Sequence, residues 1–110
     1  MLSPIAHIAP IPYFHPVQDL EQQIEAIIFS SDKPVELQEI LETLNKRYDA
    51  FFETATVQEV LKRLLNKYAA ADYSFEVVET GGGYQFLSKP EYHELIAVFL
   101  QQKTKKRLST

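Results

Sequence analysis

Cysteine is absent from the 110 residues, which excludes disulfides and thiolate metal sites and fits a reducing compartment. Histidine is scarce: His7, His15 and His93 have no carboxylate or second histidine at ligand spacing, so neither metal binding nor acid–base catalysis has a constellation to rest on. No apolar run approaches the roughly 20 residues that a membrane-crossing helix needs. The start, residues 1–17, is apolar, yet it holds Pro4, Pro10, Pro12 and Pro16 and no lysine or arginine. A signal peptide wants a basic start and an unbroken apolar stretch. The segment therefore reads as a proline-rich arm, and the chain as cytoplasmic. Glycine is nearly missing too. The three present are consecutive, Gly81, Gly82 and Gly83, and supply the positive φ of a hairpin turn. A phosphate cradle would need a Lys-Ser/Thr pair after them and a strand-to-helix order, and neither is there.

What is present suffices for one domain with a modest core: 45% apolar residues, with six tyrosines and seven phenylalanines. Asp19 with Gln22 suits a helix cap, and Leu20, Ile24, Ile27 and Ile28 then form one apolar stripe. The run Ser30 to Pro34 stops that helix. A second carries Leu37, Ile40, Leu41, Leu44 and Tyr48 on one face, with Glu36, Glu39 and Glu42 as its solvent face. Residues 49–55 form a linker whose Phe51 and Phe52 are expected to plug the gap between helices. Thr56 and Glu59 make a capping box for the third helix, where Val57, Val60, Leu61, Leu64, Leu65 and Tyr68 hold the helical period. Tyr73, Phe75 and Val77 share one face of a strand; after the glycines, Tyr84 and Phe86 alternate with Gln85 and Leu87. Ser88 with Glu91, and Pro90 in the first turn, open a fourth helix, its inner face expected to be Tyr92, Leu95, Ile96 and Phe99. The order defines an α+β fold, mostly α: a winged helix-turn-helix of three helices, a two-stranded β wing and a fourth helix. It occupies residues 18–102, between the arm and a basic tail, 103–110.

A winged helix invites a second function, that of a DNA-binding transcriptional regulator. The outer face of the third helix (Gln58, Glu59, Lys62, Arg63, Asn66 and Lys67) carries a net +2. Two features oppose specific reading of bases. The link between the second and third helices is longer than the 3–4-residue turn of a DNA-reading unit, and Gly81 to Gly83 offer no cation to a groove. Charge is also uneven. Lys103, Lys105, Lys106 and Arg107 hold four positive charges, so the remainder carries −8 within a net −4. An acidic body disfavours phosphate-backbone binding, which leaves weak, non-specific duplex contact to those four tail residues.

The wing suggests interaction instead. A two-stranded sheet can lay only one face on the helices, so Tyr73, Phe75, Val77, Tyr84 and Phe86 cannot all be buried without leaving Val78 and Leu87 outside. Val78, Tyr84, Phe86 and Leu87 are therefore candidates for a surface that a partner covers. An aromatic-rich hairpin that merely closes its own core fits the spacing equally well.

Three segments carry a resemblance: Ile24-Glu-Ala-Ile-Ile-Phe-Ser-Ser-Asp-Lys-Pro-Val35, Gly82-Gly-Tyr-Gln-Phe-Leu-Ser-Lys-Pro-Glu-Tyr92 and Arg107-Leu-Ser109. In order and spacing they resemble segregation and condensation protein B, over about residues 18 to 110, the wing segment being the specific part. The resemblance implies a bacterial, non-enzymatic protein of two winged-helix domains, without cofactor. Such a protein associates with the kleisin, segregation and condensation protein A, and through it with the SMC ATPase that compacts and segregates chromosomes, placing it at the nucleoid. It further implies that this chain is the first domain, through which two copies form a homodimer, and that 103–110 begin a linker towards a second domain. Gln85 stands where the family often has arginine, which weakens phosphate contact by the wing.

Overall fold

The chain, described by a computed structural model, is defined over residues 19–108, with side chains to residue 104. The proline-rich arm, with His7 and His15, and the side chains of Lys105, Lys106 and Arg107 lie outside the described residues. Helices α1 (Leu20–Ser30), α2 (Leu37–Tyr48) and α3 (Thr54–Tyr68) come first. Strands β1 (Phe75–Thr80) and β2 (Gly83–Ser88) follow, then a 3₁₀ turn, Pro90–Tyr92, and α4 (His93–Leu108).

The apolar stripes of the first three helices meet as their spacing predicts. Leu20, Ile24 and Ile28 of α1, Ile40, Leu41 and Leu44 of α2, and Val57, Val60, Leu61, Leu64 and Tyr68 of α3 are buried together with Val35, Phe52 and Val77. Each large aliphatic so enclosed contributes about 1.5–3 kcal/mol. Two partly exposed ion pairs, Arg63–Glu21 at 3.1 Å and Lys67–Glu25 at 3.7 Å, run from α3 to α1 over this core. Tyr48 adds a hydrogen bond from its hydroxyl to Gln23 Oε1, 2.6 Å.

The linker is shorter than its composition suggests, and its two phenylalanines part company. Asp49, at φ 49°, ends α2 in the left-handed region. Asn45 Oδ1 accepts the Phe52 N–H at 2.8 Å, which turns Phe52 inward beside the Tyr48 ring. Phe51 points out, 86% exposed, and plugs nothing. α3 starts three residues early, with Glu53 rather than Thr56 at its N-cap, so Thr56 and Glu59 already lie inside the helix and form no capping box. Asp19 holds the N-cap of α1 without a side-chain bond. Ser88 stays in β2 and Lys89 caps the 3₁₀ turn, so the Ser88–Glu91 box does not form either. A reciprocal cap sits instead on α2, where the Glu36 N–H donates to Glu39 Oε1 at 2.9 Å.

In the antiparallel hairpin Val77 faces Phe86, Glu79 faces Tyr84 and Thr80 faces Gly83. The two-residue turn between puts Gly81 at φ 58° and Gly82 at φ 82°, both positive, as a hairpin turn of matching twist demands. Gly83 is needed for space. A Cβ there would lie 2.7 Å from the backbone of Val35, because Val35 and Tyr84 exchange two backbone hydrogen bonds of 2.8 Å. This bridge gives the wing a third edge, drawn from the α1–α2 loop. At the other end of the wing, buried Lys89 donates from Nζ to the carbonyl of Ala70 just past α3, where helix-end carbonyls attract a cation.

The expectation for α4 is corrected most. Tyr92 and Ile96 are half-buried, but Leu95 is 70% and Phe99 55% exposed. The core is already filled by α1, α2, α3 and the wing, so most of the apolar side of α4 stays uncovered by the described residues.

Candidate interaction surface

The pairing of β1 with β2 divides the four wing candidates between two faces. Tyr84 and Phe86 lie on the helix side and pack partly on the core. Val78, opposite Gln85, and Leu87, opposite Glu76, share the outer face; Val78 is half-buried and Leu87 exposed. Of these four candidates, then, only Leu87 is both apolar and open, and Phe75 of β1 is exposed to the same extent.

Around that wing an apolar surface extends further than the hairpin. Tyr68, Tyr73, Phe75 and Phe86 form one ring cluster, with centroids between 4.6 and 6.2 Å apart. Phe29 of α1 meets the Phe86 ring edge-on at 6.0 Å and is otherwise largely open. Two clefts of about 410 and 320 Å³ share Phe29, Phe75 and Phe86 as walls. The first continues to Leu87 and to Leu95 and Ile96 of α4; the second follows α1 back to Gln22. Beyond them Val98, Phe99 and Leu100 remain about half exposed. Phe29, Val98 and Leu100 are absent from the sequence-derived candidates, though a signal existed. Phe29 falls one residue off the Leu20, Ile24, Ile28 stripe, and Ala97 to Leu100 are four apolar residues in a row, which no single helix face can hide.

The surface that a DNA-reading winged helix would use is different in kind. Arg63 and Lys67 of α3 are drawn to α1 by Glu21 and Glu25. Between α3 and the wing lies a cleft of about 420 Å³ lined by Gln58, Glu59, Lys62, Glu79 and Tyr84 among others. Two carboxylates face one ammonium there, which is the wrong balance for phosphate. Burial first, then the charge and hydrogen bond of Glu79, push the Tyr84 hydroxyl above the usual phenol range, so it stays a neutral donor. In the tail, Lys103 sits over the Phe99 ring at 5.6 Å. His93 is exposed and donates from Nε2 to the carbonyl of Ser88, 3.0 Å away. Among the described residues no group of three metal-ligating side chains comes together, and no helix is long and apolar enough to cross a membrane.

Three helices, a two-stranded wing tied by Val35 to the α1–α2 loop, and an outward fourth helix define a winged helix-turn-helix domain. The profile of the family described as segregation and condensation complex subunit ScpB matches residues 22–110, and the chain belongs to that family. Segregation and condensation protein B of Ruminiclostridium cellulolyticum is 29% identical over 93 residues, covering 84% of this chain and 46% of that protein. The protein of the same name from Clostridioides difficile is 23% identical over 92 residues, covering 84% and 49%. The chain thus spans about half the length of the curated relatives it matches. Among solved structures, a conserved hypothetical protein from Chlorobium tepidum superposes with a TM-score of 0.61 at 35% identity, over 84% of this chain and 55% of that one. A dimer of the ScpB N-terminal domain complexed with a ScpA peptide superposes with a TM-score of 0.60 at 18% identity, over 72% and 88%; it shares the fold.

Proposed function

We propose that this chain is the dimerising winged-helix portion of a non-enzymatic subunit acting in chromosome condensation and segregation. Its partners on this reading are a second copy of itself, the kleisin (segregation and condensation protein A) and, through the kleisin, the SMC ATPase, in the cytoplasm at the nucleoid. Family membership supports the process. The observation that carries the dimer is the uncovered apolar side of α4, Leu95, Val98, Phe99 and Leu100, beside Leu87 of the wing. A stable interface buries about 1,200–2,000 Å² in total, more than a hairpin supplies, and α4 adds the missing area. That a dimer of the ScpB N-terminal domain has been solved with a ScpA peptide bound supports extending the reading to kleisin contact by this portion.

Light-scattering mass across a concentration series is the test. The chain should be dimeric in the micromolar range, and Leu87→Glu with Phe99→Glu should be monomeric at an unchanged melting temperature, since both side chains are exposed. Tyr84→Glu, on the core side and beside Glu79, should lower the melting temperature instead. A monomer at hundreds of micromolar, indifferent to these changes, would refute the reading.

A further inference from the structure

α4 is apolar over more of its circumference than one flat surface can cover. Val98, Leu95, Phe99 and Leu100 are about half exposed or more and span an arc of about 200° around the helix axis. An ordinary core-facing stripe is about half as wide. Within that arc only Ile96 is half-buried, at the edge of the first cleft. A helix apolar over such an arc is covered by a groove, and the body has one to offer. The clefts walled by Phe29, Phe75 and Phe86 open beside the first turns of α4, and Phe29 between them is 74% exposed.

We propose that α4 of each copy seats in the cleft of the other, with Phe99 against Phe29 and Leu100 towards Phe75 and Phe86. The exchange rests on the dimer reading above and gives it a geometry: each contact occurs twice, as a two-fold axis requires. Area favours it over a pairing of α4 with α4 alone. At roughly 200 Å² for a wholly exposed large side chain, the four α4 residues supply about 450 Å² per copy, short of the ~800 Å² that each partner of a standard interface buries. Phe29, Phe75 and Leu87 add about 320 Å², which closes most of the gap. Charge agrees. Glu25 is the one carboxylate among the residues lining the two clefts, and Lys67 already pairs with it at 3.7 Å. Residues 95–100 carry no charge, so their entry strands none.

Two truncations at exposed positions test the exchange through a mixture. Phe29→Ala and Phe99→Ala each remove the same ring contact from both halves of the dimer, so each should raise the dissociation constant at least about tenfold. A mixed dimer of the two variants carries both truncations in one contact and leaves the other whole. Sedimentation of the equimolar mixture should therefore show a loss of only about the square root of that factor. If α4 pairs with α4 alone, Phe29→Ala is without effect. If Phe29 meets Phe29 and Phe99 meets Phe99, the mixed dimer is faulty in both places and the mixture gains nothing. Either result overturns the exchange and leaves the dimer standing, whereas an unaltered chain that is monomeric at hundreds of micromolar overturns both. On the unaltered dimer, isotope-filtered NOEs should join the Leu100 methyls of a labelled copy to the Phe75 or Phe86 ring of an unlabelled one; intermolecular NOEs confined to α4 would also overturn the exchange.

Discussion

Leu64 and Phe51 mark the two ends of what an apolar side chain does here. Leu64 is fully enclosed, so Leu64→Ala removes contacts and leaves a cavity at a cost of about 2–5 kcal/mol. For a domain this size that lowers the melting temperature by at least several degrees. Phe51→Ala, at a position 86% exposed, should change stability by no more than about 0.5 kcal/mol; a large fall would show that its ring has a partner. Tyr84 adds a pH dependence. Its hydroxyl is raised above the ordinary phenol range by burial and by Glu79, so folding favours the neutral form. The contribution is whole below the unfolded value of about 10 and is lost as pH rises through the folded value. Urea midpoints taken from neutral to strongly alkaline pH should fall at the alkaline end, and fall less for Tyr84→Phe; equal slopes would show that Tyr84 is not responsible.

At the scale of elements, the wing is fixed by its glycines in two different ways. Gly82→Asn keeps a residue that tolerates positive φ and meets open space, so it should be nearly silent. Gly83→Ala drives a methyl into the Val35 backbone and should cost about 1–3 kcal/mol through forced displacement. Chemical denaturation of the two variants checks this, and equal costs would mean that the Val35 bridge yields freely. The hairpin, its turn and the stripes of α1, α2 and α3 were legible in the sequence because each rests on a local period or a rare residue. Phe51 and Phe52 were not separable, since a linker has no period and the Asn45 bond that turns Phe52 inward is not a pattern. The bridge from Val35 to Tyr84 joins two distant segments and leaves no local mark. Leu95, Ile96 and Phe99 did announce a helix with an apolar side, but periodicity does not say whether the covering surface belongs to the same chain. That is why half of the candidate surface, with Phe29, Val98 and Leu100, came only from the structure.

At the scale of the molecule, charge separates the two uses of a winged helix. The body is acidic, two of the three α3 cations, Arg63 and Lys67, are paired with α1, and in the cleft beside the wing Lys62 meets Glu59 and Glu79. Duplex DNA should therefore bind weakly and without sequence preference, through Lys103, Lys105, Lys106 and Arg107. Removing residues 103–110 should abolish what fluorescence anisotropy detects at low salt. Tight binding that survives the deletion would restore the regulator. The apolar side of α4, which continues into the clefts at Phe29, Phe75 and Phe86, gives the same body an uncharged face.

The bond from Gln85 Nε2 to the Asp32 carbonyl spans 53 positions, and the Val35–Tyr84 bridge beside it closes nearly as long a loop. Alone, a hairpin zips in about 1–10 μs, and helices form faster still. Closing this wide loop is a non-local event, of the kind that slows folding. The helices and the hairpin can therefore each form early, while the finished wing waits for α1 and α2 to deliver Val35. Until α1 docks, Phe86 also lacks the edge-on ring of Phe29, and a nascent chain is at its stickiest after its elements exist but before such long loops are shut.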